Sequence, residues 1–127
     1  ILLLDGFEFI DLQYTDTSKE RNDFFERFGK KILKIDGKDY FNDIEGLTST
    51  IDACDLILSI SNINAHLSGA IGKKTLLMLP KGKGKLWYWS DYDNHSHWYN
   101  SVKIFKQKTI GDWSDVIDDV YKDLKSL

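Results

Sequence analysis

Five short apolar runs alternate along this chain with longer stretches whose apolar residues recur at helical spacing. The runs lie at residues 9–13, 32–35, 56–60, 75–79 and 102–105. Such alternation is the signature of crossover units that feed a parallel sheet. The expected fold is therefore α/β, an open three-layer sandwich around a parallel sheet of about five strands. Thr17 and Ser18 open a first helix carrying Phe24, Phe25 and Phe28, which Gly29 stops. Residues 44–53 form a second helix, with Ile44, Leu47, Thr48 and Ile51 on one face and Asp43 at its positive end. Residues 64–71 form a short third helix ended by Gly72, and Val116, Val120 and Leu124 mark a terminal one.

At 127 residues, with 42% apolar composition and one proline, the chain is expected to be a single domain over residues 1–127 with no linker or low-complexity tail. Its 17 Lys+Arg against 20 Asp+Glu give a formal charge of -3, so the field that draws a protein to phosphate backbones is missing and nucleic acid is not an expected partner. The single cysteine, Cys54, cannot form an internal disulfide and reads as an inert thiol in a reducing compartment. No apolar stretch approaches the roughly 20 residues of a spanning helix, and a cytoplasmic location is expected. The chain starts at Ile1 and enters a strand almost at once, which suggests a piece of something longer.

In an open parallel sheet, ligands gather at the carboxyl ends of strands, where helix N-termini present free amides. That rule selects Gln13 and Tyr14 after the first run, residues 61–66 after the third, and the segment from Pro80 after the fourth. Ser61, Asn62, Asn64 and His66 open a helix built of Ala65, Ser68, Gly69 and Ala70, whose small side chains let it lie close to the sheet. Their polar groups suit a cradle for a phosphate or diphosphate. Equally, Ser61 or Asn62 caps a helix and His66 packs in its first turn.

Residues 80–101 form the longest irregular stretch and hold most of the tryptophan. Loops of this length are uncommon unless they act. Lys81-Gly82-Lys83-Gly84-Lys85 lacks the spacing of a Walker motif and reads as a solvated loop. His95 and His97 lie near Asp91 and Asp93, but no second ligand cluster accompanies them, so no metal is expected. Trp87, Trp89 and Trp98 read as wall or interface residues, or as a cover over a bound base. No Gly-x-Ser-x-Gly nucleophile and no Gly-x-Gly-x-x-Gly fingerprint is present, which argues against a hydrolase triad and a hydride-transfer enzyme.

Leu12-Gln13, then Ile51-Asp52-Ala53-Cys54-Asp55-Leu56-Ile57, and the run from Ser61 through His66 to Lys73 resemble the C-terminal half of family 9-like, heptosyltransferase-like glycosyltransferases, of the kind fused to tetratricopeptide (TPR) repeats. Leu79-Pro80, Trp87-Tyr88-Trp89, Trp98-Tyr99, Ile104-Phe105-Lys106-Gln107 and Gly111-Asp112-Trp113 continue the likeness over nearly the whole chain. The resemblance implies a Rossmann-like domain, the C-terminal half of a GT-B fold, that binds a nucleotide-sugar donor without a metal or other cofactor. It assigns the donor phosphates to Ser61, Asn62, Asn64 and His66, with Gln13 and Tyr14 lining the same cleft and Lys85, Trp87 and Trp89 in a loop over it. It also implies an upstream N-terminal Rossmann-like domain that carries the catalytic base, and TPR repeats as further neighbours.

Ser61 stands where the family has aspartate, Asn62 where it has threonine, and Tyr88 where it has arginine. Loss of a carboxylate and a guanidinium changes which sugar or phosphate groups can be held. The alternative from the same resemblance is a catalytically inactive GT-B-like interaction domain attached to TPR repeats, with Trp87, Trp89 and Trp98 as anchors.

Overall fold

The computed structural model describes residues 1–84, 86–89 and 94–127 of the chain. It is a mixed α/β structure with parallel sheets and four helices among the described residues. The chain divides into two compact units, Ile1–Leu47 and Thr48–Leu127.

In the first unit, β1 (Phe9–Ile10) and β2 (Ile32–Leu33) pair in parallel, with Phe9 opposite Ile32 and Ile10 opposite Leu33. The helix α1 (Ser18–Phe28) joins them. As the sequence indicates, Gly29 closes this helix in the left-handed conformation, at φ 67°, and its N–H bonds to Phe25 O at 2.8 Å. The expected strand over residues 9–13 stops at Ile10, because the Asp11 carboxylate gathers its surroundings. It accepts the Gln13 amide at 2.8 Å and the Thr17 hydroxyl, and it pairs with Arg21 at 3.8 Å and Lys34 at 3.5 Å. Such side-chain bonds offer the backbone an alternative to a ladder. Asp43 caps the next helix, α2 (Ile44–Ala53), by accepting the Gly46 N–H at 2.7 Å.

The second unit is built on β3 (Ile57–Ile60), β4 (Thr75–Leu79) and β5 (Val102–Lys106), in the spatial order β3-β4-β5 and all parallel. Ile57 is opposite Thr75, and Thr75 is opposite Val102. The expected single sheet of five strands is thus a two-stranded and a three-stranded sheet, since strand neighbours are set by contacts distant in sequence that local patterning does not encode.

Helix α3 (Ile63–Ala70) connects β3 to β4, and α4 (Ser114–Lys125) follows β5. Successive strand residues point to opposite faces. On one face Leu77, Leu79, Val102 and Ile104 join Ala65 of α3 and Trp89 in a buried cluster, with Tyr88 and Tyr99 packed against it. On the other, Lys103 pairs with Asp123 of α4, whose Val116, Val120 and Leu124 are buried.

Parallel neighbours need a crossover, usually a helix. Between β4 and β5 the described residues contain no helix, and Tyr88, Trp89 and Tyr99 pack on the sheet face there. No helix among the described residues is long and apolar enough to cross a membrane.

Candidate functional site at the carboxyl end of the third strand

Strand β3 ends at Ile60, and the chain turns through Ser61 and Asn62 into α3. Asn62 is extended (φ -155°, ψ -174°) and is the N-cap. Its Oδ1 accepts the Asn64 N–H at 2.9 Å and the Ala65 N–H at 3.4 Å, and also the Ser59 hydroxyl at 3.0 Å. Two first-turn amides are therefore satisfied by the cap itself. Asn64 Oδ1 is buried without a hydrogen-bond partner.

The Ser61 hydroxyl accepts from Trp89 Nε1 at 2.8 Å, and Trp89 has no exposed surface. The His66 imidazole stacks on the Trp89 indole, with centroids 4.9 Å apart and planes at 25°, and meets Tyr88 at 5.3 Å. Its Nδ1 lies 3.1 Å from Tyr99 Oη. Among the described residues its Nε2 has no hydrogen-bond partner. The contact with Tyr99 forms either with Tyr99 donating to Nδ1 or with Nδ1–H donating to Tyr99 Oη, according to the tautomer of the ring.

Helix α3 sits close to the sheet through its small residues. Ser68 is fully buried, donates to Ala65 O at 3.1 Å and accepts from Thr75 Oγ1 of β4 at 2.8 Å. Gly69 serves a different neighbour: a Cβ there would stand 2.5 Å from the Tyr99 ring, so the absent side chain is the space Tyr99 occupies. Tyr99 thus braces His66 and packs on its helix. A bare glycine one helical turn beyond a histidine is the sequence signal for that contact, and the partner ring is 30 residues further along.

The structure gathers Ser61, Asn62, Asn64, His66 and Trp89 in one corner, while Trp87 is 83% exposed and edge-on to Tyr88. Lys85, together with Asp91, Tyr92 and Asp93, lies outside the described residues. Gln13 and Tyr14 belong to the first unit. There the Gln13 carbonyl accepts from Lys34, and Tyr14 tilts against Phe41 at 5.3 Å. Lys81 is tied rather than free: its N–H donates to Gln107 Oε1 at 3.1 Å and its ammonium to Lys108 O at 2.7 Å.

Desolvation pushes the Cys54 thiol up from its ordinary value, which leaves it a weak nucleophile. Among the described residues no group of three His, Cys, Asp or Glu side chains is placed to hold a metal.

No family model and no solved structure matches the chain. It is 26% identical over 128 aligned positions to Protein FlbA of Caulobacter vibrioides, a similarity that takes in all of this chain and 21% of that protein. The chain thus spans about a fifth of the length of this curated relative.

Proposed function

We propose that this chain is the donor-binding half of a metal-independent glycosyltransferase of the GT-B type, which transfers a sugar from a nucleoside diphosphate. In this reading the parallel strands belong to a Rossmann-like C-terminal half, and the protein acts in the cytoplasm. An upstream Rossmann-like domain, following TPR repeats, supplies the catalytic base. The observation that carries the reading is His66. Its imidazole is braced by Trp89 and Tyr99 in the first turn of a helix leaving a parallel strand.

A positioned N–H at a helix N-terminus stabilises the negative charge that grows on a departing diphosphate. Asn64 and the helix dipole add to it. Orientation of the donor accounts for the rest of the contribution of this half.

Calorimetric titration with uridine, guanosine, adenosine and cytidine diphosphates tests this. Saturable binding of at least one is expected. Loss of one hydrogen bond to a charged oxygen, worth about 1.5–3 kcal/mol, should make His66→Ala roughly 10- to 100-fold weaker. Absence of saturable heat with every diphosphate defeats the reading.

One observation favours a second reading, an inactive GT-B-like interaction domain. Ser61 and Asn62 are already occupied by Trp89 and by the helix's own amides, while Trp87 and Trp98 face solvent. Silence toward nucleotides, combined with loss of partner binding in Trp87→Ala, identifies that case.

A further inference from the structure

The Tyr99 side chain is fixed by contacts that do not involve His66. The Tyr99 N–H donates to the buried Ser96 hydroxyl at 3.3 Å, the Tyr99 carbonyl accepts from the Val102 N–H at 3.1 Å where β5 begins, and the phenol ring fills the space left by Gly69. The His66 ring is fixed in turn by stacking on Trp89, with planes at 25°, and meets the Tyr99 ring edge-on at 72°. Two rings held by separate contacts thus meet at one hydrogen bond, 3.1 Å between Tyr99 Oη and His66 Nδ1.

Chemistry separates the two directions that this bond can take. A phenol is a stronger acid than the N–H of a neutral imidazole, and a pyridine-type ring nitrogen is a stronger base than a phenol oxygen. The bond is therefore stronger with Tyr99 donating to Nδ1 than with Nδ1–H donating to Tyr99. A hydrogen bond at one ring nitrogen sets the protonation of the other. His66 is half-buried, and its Nε2 is not among the enclosed, unpartnered side-chain atoms of the described residues, so solvent or a ligand can meet a proton there.

We propose that Tyr99 is a positioning residue for His66: its hydroxyl donates to Nδ1 and holds the ring proton on Nε2, so that the corner offers a neutral N–H to an acceptor oxygen. The proposal rests on the donor reading in so far as that oxygen belongs to a nucleoside diphosphate, and it names both the atom that donates and the residue that imposes the proton on it. Without the hydroxyl the ring exchanges between its tautomers and presents a lone pair at Nε2 for part of the time, which repels an anionic oxygen.

Nitrogen-15 NMR of the His66 ring in the 127-residue chain, at about pH 8 where an ordinary imidazole is neutral, tests the assignment without any ligand. The wild-type spectrum should place the proton on Nε2 and give Nδ1 a pyridine-type shift. In Tyr99→Phe, which keeps the ring beside Gly69, the two nitrogen shifts should draw together as the tautomers exchange. A wild-type proton on Nδ1, or a Tyr99→Phe spectrum identical to that of the wild type, overturns the proposal. Calorimetric titration with the diphosphate that binds the wild type should then show Tyr99→Phe weaker by roughly 3- to 10-fold, the scale of one neutral hydrogen bond. Unchanged affinity overturns the positioning role. If no diphosphate binds the wild type, the donor reading and the service of Tyr99 to a diphosphate fall together, while the nitrogen spectrum by itself decides whether Tyr99 sets the tautomer.

Discussion

In residues Ile1–Leu47 a carboxylate organises the chain, whereas in Thr48–Leu127 a packed apolar cluster does. The first unit has strands of two residues each and an α1 helix with no buried residue; Phe25, Phe28 and Phe41 are exposed. Its organising feature is Asp11, whose side chain is only 7% exposed and receives Thr17, Gln13, Arg21 and Lys34. The second unit buries Leu76, Leu77, Leu79, Trp89, Val102 and Ile104 almost completely. A packed cluster is sensitive to lost volume, and a polar hub is sensitive to a lost acceptor.

The largest expected effect is that of Leu77→Ala, which opens a void in the second unit and should cost about 2–5 kcal/mol in denaturant unfolding followed by tryptophan emission. Asp11→Ala strips a buried acceptor from several donors and should cost about 1–3 kcal/mol, seen as amide-exchange protection lost within Ile1–Leu47. If either variant lowers protection equally in both units, the contrast between them is broken. Gly69→Ala forces a methyl group against the Tyr99 ring and should cost about 1–3 kcal/mol. A double-mutant cycle with Tyr99→Ala should recover part of that loss, which sharpens the claim that Tyr99 is a structural member of the second unit.

The smallest effects are in the acid range. Hydrogen bonds from the Ser18 side chain to Asp16, from the Asn42 side chain to Asp39, and from the Ser114 backbone to Asp112 hold these exposed carboxyls below the ordinary 3.8. A depressed carboxyl stabilises the fold above its unfolded value and loses that contribution as pH falls through the folded one. Their turns should therefore persist at pH 4 and loosen only below 3.8, in both units alike; carbon-detected carboxyl titration reads this directly.

Element positions were largely legible from local pattern. The runs at 56–60, 75–79 and 102–105 became β3, β4 and β5 with ends shifted by at most one residue, and Gly29 and Asp43 bound their helices as their chemistry dictates. The separation into two sheets was not legible, because strand neighbours are set by contacts distant in sequence. The polar corner was legible as a set of residues but not in its bonding. Nothing near Ser61 announces that Trp89, 28 positions later, donates to it, or that Tyr99 reaches back to His66. The aromatic density of residues 80–101, which suggested a working loop, is in part the cover of a sheet face.

That link between β4 and β5, with no helix among its described residues, also bears on the order of assembly. The β3-α3-β4 segment can form from near-neighbour contacts, while β5 must wait for a long segment to close, which the antiparallel bridge of His95 to Lys103 ties back onto the strand. Burial of Trp89 against Leu77, Leu79, Val102 and Ile104 is among the contacts that offset the entropy of that closure. Docking of the last strand is thereby expected to coincide with loss of water from around the Trp89 indole.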